Sequence, residues 1–267
     1  MAEFELTEND AKQLEKQNSR MISEFKANKL ESDARKNWDI FYKRNETKFF
    51  KDRHWTTREF QELLGQDKVS QDCGGVQLLL EVGCGVGNFA FPLIEELDTI
   101  FIYCCDFSPR AVQFVRDNPL YDQTRMKAFQ CDITSCTNLA DNIPETGVDI
   151  VSAIFVLSSI HPDNHQAVFK NLASVLKPGG VLLFRDYGVY DMTMIRFGPG
   201  SKIQDRFYSR QDGTRSYFFN VEEIARFAEA AGLQVAENQF VSRRTINKKE
   251  GVDVPRTFVQ SKLIKPA

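Results

Sequence analysis

The sequence predicts a doubly wound α/β domain built on a seven-stranded sheet, and three observations carry that expectation. First, Leu78-Leu79-Leu80-Glu81-Val82-Gly83-Cys84-Gly85-Val86-Gly87-Asn88 joins an apolar run to a glycine turn, and an apolar-periodic segment resumes at Phe89. This is the pattern of a buried strand, a tight turn and a helix start. Glycine lets the backbone turn sharply and approach a ligand closely, because no Cβ intervenes. Second, strand-like and helix-like runs alternate from Val76 onward, as they do where crossover helices join parallel strands. Third, a helical pattern at 221–232, ended by Gly232, precedes two more strand-like runs at 233–246 and 256–264.

Taken in order, the chain opens with a helical pattern from Glu8 to about Arg44. Ile22, Phe25, Leu30, Ala34, Trp38 and Phe41/Tyr42 recur there among charges, which predicts one long helix. Trp38 and Tyr42 are four apart and share a face. The helix is too polar to form a core of its own, so its aromatic end must dock, either as a cap on the main domain or as a lid over a cofactor mouth. Residues 45–60 interleave Lys48, Lys51, Arg53, His54, Trp55 and Arg58 with further aromatics, a mixture that can stack bases and bind phosphates or simply pack. Gln66–Gly75 is polar and turn-rich, the expected linker. The expected organisation is therefore an N-terminal helical, basic-aromatic extension over 1–70 and a main domain over 71–267. Within that domain, strands are expected near 77–82, 99–105, 126–131, 148–156 and 180–185, with helices near 88–97, 109–117, 136–142 and 164–176. Pro109 suits a first helical turn, and Pro178-Gly179-Gly180 reads as a hard turn into the fifth strand.

The 267 residues are 42% hydrophobic and 27% charged, enough for one large α/β domain. The net charge of −3 hides an uneven distribution. Residues 26–58 carry ten Lys and Arg against five Asp and Glu, and residues 239–267 seven against two, around an acidic centre. Two basic flanks suit a polyanion gripped at the rims. No apolar run is long enough to span a bilayer, and the acidic start lacks the apolar core of a secretory signal. The six cysteines show no zinc-like spacing, and no metal site is expected. Several lie in apolar strand-like runs, which points to a reducing compartment, the cytoplasm with the nucleus also open.

The strand ends hold the candidate site. Gly83 and Gly85 form the turn where open α/β sheets bind nucleotides, although Gly-x-Gly-x-Gly is not the dinucleotide fingerprint. Asp106 ends the second strand about twenty residues past that turn, where a carboxylate can accept ribose hydroxyls. Asp132 ends the third, placed for an adenine amino group with Ile133 flanking the ring, and Ile154 ends the fourth on the cofactor side. Each acid can equally be a turn residue.

The glycine turn resembles the first motif of class I S-adenosyl-L-methionine (SAM) methyltransferases, which are Rossmann-like. A closer resemblance is carried by Asn37-Trp38-Asp39-Ile40-Phe41-Tyr42, Phe50-Lys51-Asp52-Arg53-His54-Trp55-Thr56-Thr57-Arg58-Glu59-Phe60, Asp106-Phe107-Ser108-Pro109-Arg110-Ala111, Phe184-Arg185-Asp186-Tyr187-Gly188 and Arg210-Gln211-Asp212-Gly213-Thr214-Arg215-Ser216-Tyr217-Phe218-Phe219. These blocks resemble the tRNA N3-methylcytidine methyltransferases of the methyltransferase-like group, and Thr56-Thr57-Arg58 with the stretch 247–251 resembles its methyltransferase-like protein 6 branch. The resemblance implies SAM as donor and a cytidine at anticodon-loop position 32 as acceptor. It further implies serine tRNAs as substrates with help from seryl-tRNA synthetase. It places SAM contacts at Trp38, Tyr42, Gly83, Asp106, Asp132, Ile133 and Ile154.

Cytidine N3 bears a lone pair at neutral pH, so methyl transfer needs alignment rather than a base. Asp186 is expected to accept from the cytosine amino group, with Tyr187 or Tyr190 stacking on the base; an Arg185–Asp186 pair that shapes the loop is the other reading. In an insertion at 188–220, Arg196, Lys202, Arg206, Arg210 and Arg215 alternate with Phe197, Phe207, Tyr208, Tyr217 and Phe218. This segment and Arg243, Arg244, Lys248 and Lys249 are expected to hold the anticodon arm; His161 could face the acceptor, but is expected rather to satisfy a loop carbonyl. A SAM enzyme acting on a protein or small molecule stays open, as does a non-catalytic RNA-binding adaptor.

Overall fold

The computed structural model describes residues 6–65, 75–135, 139–247 and 251–267. The expected linker at 66–75 lies outside them except for Gly75, as do Lys248 and Lys249. The expected helix at 136–142 is described only from Leu139, where Leu139 and Ala140 are helical.

The sheet begins with β1 (Gln77–Val82), where Leu79 and Leu80 are fully buried because parallel strands are covered on both faces. The turn leads into α5 (Ala90–Glu96), which starts two residues later than expected because the glycine turn runs through Phe89. Next come β2 (Ile100–Asp106), α6 (Pro109–Arg116), β3 (Met126–Gln130), β4 (Val148–Ile154), α7 (His165–Ser174) and β5 (Leu176–Tyr187). Ser108 caps α6 and Pro109 opens it, as the sequence predicts. The Pro178-Gly179-Gly180 turn lies inside β5 rather than before it. Leu176 pairs with Val148 and Val181 with Ile150, so the strand bulges over the intervening residues, and Lys177 closes the bulge on Asp149 at 2.8 Å.

The chain ends with α9 (Val221–Ala230), β9 (Gln234–Asn247) and β10 (Val252–Ile264). The seven-stranded order is β3-β2-β1-β4-β5-β10-β9, with β1 to β5 parallel and β10 antiparallel to β5. Strand order runs one way from β1 to β3 and the other way from β4 onward. That reversal opens a crevice between the carboxyl ends of β1 and β4.

The N-terminal segment is three helices, α1 (Glu8–Gln17), α2 (Glu24–Ser32) and α3 (Ala34–Asn45), where periodicity predicts one. The break near residue 20 has a tertiary cause. Ile22 donates its N–H to the Lys202 carbonyl at 2.9 Å, as an extended segment does, and Ser23 then caps α2. Gln17 at the end of α1 is buried, donating to the Met194 carbonyl at 2.9 Å and accepting from the Tyr208 hydroxyl at 2.8 Å. Beyond α3 comes the single turn α4 (Thr56–Glu59).

The insertion holds the short helix α8 (Met192–Ile195) and a three-stranded sheet of β6 (Lys202–Gln204), β7 (Phe207–Ser209) and β8 (Arg215–Tyr217). It corrects the expectation of an RNA-facing aromatic surface. Phe207, Tyr208, Tyr217 and Phe218 are buried, and Phe197 stacks on Tyr208 at 4.7 Å. Short strands cannot stand alone, so their rings go into the body of the fold. Three of the cations are committed as well. Arg206 pairs with Glu223, the buried Arg215 with Glu31, and Lys202 with Asn18 at 2.7 Å, while Arg196 stays exposed.

Asp191 ties the insertion to the sheet. Fully buried, it accepts from Arg256 Nε at 2.8 Å, from the Thr257 N–H at 2.9 Å and from the Thr193 N–H at 2.9 Å. Asp191→Ala leaves a mostly buried guanidinium without its carboxylate and is expected to cost about 3–5 kcal/mol in urea unfolding. A loss near zero would mean that Arg256 finds another partner.

Candidate active site

The crevice between β1 and β4 is a cleft of about 260 Å³. Its floor follows from the glycine turn. Gly83 has φ +66°, and a Cβ there would lie 2.3 Å from Val156 Cγ2, so only glycine lets β1 and the end of β4 meet this closely. The roof is α2 and α3, through Glu31, Ala34, Trp38 and Tyr42. The aromatic end of the N-terminal segment thus docks on the main domain, with the Trp38 and Tyr42 rings facing the cleft. Trp38 and Tyr42 sit 5.9 Å apart, and Asp39 on the same helix accepts from the Ser108 hydroxyl at 3.0 Å and from Arg110. Those bonds hold α3 over the start of α6.

Asp106, Asp132 and Ile133 line the wall as expected. Asp106 accepts the N–H of Gly85 and of Ser108, each at 2.9 Å. Burial pushes its pKa up to about 6 against the pull of those N–H bonds. Asp132 also serves as a turn residue, accepting from the Thr134 N–H at 3.0 Å and hydroxyl at 2.7 Å. The turn reading of that acid holds, on a residue that also lines the cleft. Burial, and then the nearby Asp106 carboxylate, hold the Tyr42 phenol well above its usual range.

Four expectations need correction. Gly85 is not among the residues lining the cleft; its N–H goes to Asp106, and the Tyr42 hydroxyl lies 3.0 Å from where a Cβ would stand. Ile154 is packed in the core, and its carbonyl accepts from Arg53 Nη1 at 3.0 Å; Phe155 and Val156 line the cleft instead. Asp186 is fully buried and accepts the Ser158 N–H at 2.9 Å and its own neighbour's N–H at 2.9 Å. It holds the loop after β4 and cannot reach a base, and Arg185 is not its partner. That guanidinium lies 4.4 Å over Trp55 and pairs with Glu59. Tyr190 lines a separate hollow with Leu14, Gln17 and Met194. Tyr187 is outside the cleft but adjacent to it, its ring 5.3 Å from Phe155.

Of the residues that line or border the cleft, Phe155, Ser159 and Asn164 escaped the sequence reading, whereas Arg53, His161 and Arg215 were singled out there. Phe155 has φ +58°, a conformation bulky residues rarely take and one that clusters at functional sites. Arg53 sits 5.4 Å from its ring centroid. Ser159, His161 and Asn164 come from the loop after β4, and Arg215 reaches in from β8 to meet Glu31. His161 accepts the Asp163 N–H at 3.3 Å; the residue that satisfies loop carbonyls is the buried His165, on Leu157 at 3.0 Å and Ile160 at 3.2 Å. Of the basic-aromatic stretch, Arg53 and Trp55 turn inward, and Lys48, Lys51, His54 and Arg58 stay outside.

Beneath the turn, Glu81 is buried with Oε2 lacking a hydrogen-bond partner. Burial pushes its pKa up to about 8, partly opposed by Arg53. Acids on the wall and aromatic rings above suit a nucleoside that carries positive charge. Because folding raises the Glu81 pKa from 4.5, the folded state holds the extra proton between those two values. Stability from this group is therefore full at low pH and declines as pH rises toward about 8. Glu81→Gln is expected to flatten that decline in melting curves from pH 5 to 8.5. An unchanged slope would show that the carboxyl is ionised throughout.

Comparison with known proteins adds the following. A methyltransferase-domain family matches residues 80–182. The human protein named tRNA N(3)-cytidine methyltransferase METTL6 is 53% identical over 251 residues, covering 94% of this chain and 87% of its own. The fission yeast (Schizosaccharomyces pombe) tRNA N(3)-methylcytidine methyltransferase trm141 is 44% identical, covering 90% and 95%. Among solved structures, a putative methyltransferase from Haloferax volcanii, in complex with the Trm112 activator, superposes with TM-score 0.59 at 18% identity, covering 88% of this chain and 98% of that one. The magnesium protoporphyrin IX methyltransferase of Synechocystis, solved with bound SAM, gives 0.55 at 14%, covering 88% and 97%.

Proposed function

The chain belongs to the tRNA N(3)-cytidine methyltransferase family, and from that membership we propose that its target is cytidine 32 in the anticodon loop of serine tRNAs. It is a SAM-dependent tRNA (cytidine N3) methyltransferase of the class I, Rossmann-like fold. The observation that carries the reading is the convergence of Gly83, Asp106 and Asp132 under the rings of Trp38 and Tyr42 in one cleft at the strand-order reversal.

In this reading Asp106 accepts from the ribose hydroxyls of the cofactor. Asp132 and Ile133 hold its adenine, and Trp38 and Tyr42 cover it. Glu81, with an oxygen free of hydrogen bonds beneath the turn, is a buried carboxyl that burial keeps protonated up to about pH 8, so the negative charge at the cleft comes from the wall acids. The organisation proposed is the extension 1–70 as lid and RNA contact over the domain 71–267, with the insertion 188–220 bracing the lid.

When bound, SAM supplies a methyl group on a sulfonium cation. The acceptor nitrogen carries its own lone pair, so the chain has no proton to remove and must align and isolate instead. A paired base hides that nitrogen, so the substrate is a loop base or one turned out of its stack. Phe155, backed by Tyr187 and by Phe258 at 5.2 Å, offers a flat wall at the cleft for such a base. The ring faces also favour the cationic product. Seryl-tRNA synthetase is proposed as a helper that presents the tRNA, and cytoplasm and nucleus as the location, in keeping with the buried free thiols of Cys84, Cys104, Cys105 and Cys131.

The test is methyl transfer to purified serine tRNA, with and without the synthetase, read as modified nucleosides by mass. We expect 3-methylcytidine at position 32, and a loss of SAM affinity of about tenfold to a hundredfold in Asp106→Ala. Methylation of other tRNAs only would overturn the serine assignment. Transfer that ignores RNA and survives high salt would favour a protein or small-molecule acceptor.

A further inference from the structure

A series of rings and guanidinium groups leads from the cleft out to the insertion. Phe155 lines the cleft, and Tyr187 lies 5.3 Å from it. Two cations then sit against Tyr187, Arg210 and Arg256, each 5.6 Å from the ring centroid. Their partners differ. Arg256 is neutralised by Asp191 at 2.8 and 3.1 Å. Arg210 is half-buried and has no carboxylate at ion-pair distance among the described residues; its charge acts at longer range on the buried Asp186 carboxyl, and its Nη2 donates to the Ser216 hydroxyl at 3.3 Å.

The turn that carries Arg210 is built to stay in place. The Arg210 N–H donates to the Thr214 carbonyl at 2.8 Å, and the Gly213 N–H returns to the Arg210 carbonyl at 3.1 Å. Asp212 accepts both the N–H and the hydroxyl of Thr214, at 2.9 and 2.7 Å. Gly213, at φ +83°, presents its carbonyl to Asn37 Nδ2 at 3.0 Å, next to Trp38 in the roof. A charged fork is thus held rigid beside an aromatic wall, one ring away from the cleft. Fixed guanidinium forks match phosphate oxygens in pairs, and their cost of ordering is already met by the turn.

We propose that Arg210 binds the phosphodiester adjoining the target cytidine, while Phe155 and Tyr187 form the wall against which the extruded base rests. The proposal builds on the tRNA-methyltransferase reading. It also explains why the insertion, whose other rings and cations are largely committed inside the fold, should touch RNA at this one turn.

The experiment is steady-state kinetics of wild type, Arg210→Gln and Arg210→Lys with serine tRNA over a range of salt concentrations, with SAM affinity by calorimetry and melting temperatures alongside. Losing one phosphate contact should reduce the slope of log kcat/KM against log salt by about 0.7–0.9 in Arg210→Gln. KM for tRNA should rise at least about tenfold, with SAM affinity unchanged. Arg210→Lys should keep the wild-type slope, because the charge remains, yet show a raised KM. A wild-type slope in Arg210→Gln would overturn the proposal, as would SAM affinity falling in step with the tRNA terms, the mark of a residue that only props the wall. Wild-type protein that forms no 3-methylcytidine would instead sink the functional reading on which the proposal is built.

Discussion

The cleft depends on how closely the turn after β1 approaches the end of β4. Gly83 meets Val156 at a distance that no side chain on the turn would permit. With the two strands held so, Asp106 on β2 can take the Gly85 N–H, and the loop after β4 can present Phe155, Val156 and Ser159 to the same space. Arg53 crosses from the N-terminal segment to the Ile154 carbonyl and so ties the lid region to the same strand end. A looser approach would separate the acids from the rings, and the site would cease to be one site.

Charge is spent mostly on holding this arrangement. Glu59 is shared by Arg243 at 2.6 Å and Arg185 at 3.5 Å, which joins α4 to β9 and β5. Asp191 holds Arg256, and Glu223 holds Arg206 while accepting from the Tyr217 hydroxyl at 2.7 Å. Buried pairs of this kind add little net stability over apolar packing, but losing one member strands the other. Many of the arginines that looked free for RNA are thus structural, and the outward charges are concentrated on α2, α3 and the stretch after them.

Much of the site could be read from local patterns. The glycine turn, Asp106 and Asp132 stand at strand ends that alternation alone locates, and Trp38 and Tyr42 share a face at helical spacing. What misled was side-chain direction. Asp186 follows a strand as Asp106 does, yet its carboxylate turns inward to the Ser158 N–H. Ile154 and Phe155 are neighbours at a strand end, and a left-handed backbone at Phe155 decides which of them faces the cleft. Tyr190, three residues past Tyr187, points into a different hollow.

By itself the sequence determined the element types, the crevice at the glycine turn and the family. These rest on periodicity, on glycine's conformational freedom and on long local blocks, all of which are properties of neighbouring residues. Only the tertiary structure decided that the N-terminal pattern breaks into three helices, that the insertion buries its rings and that Arg210 lies against Tyr187 without a salt bridge among the described residues. Those outcomes turn on partners far away in the chain, such as Lys202 for Ile22, Gly213 for Asn37 and Asp191 for Arg256. No local pattern carries the identity of a partner that the fold has yet to bring near.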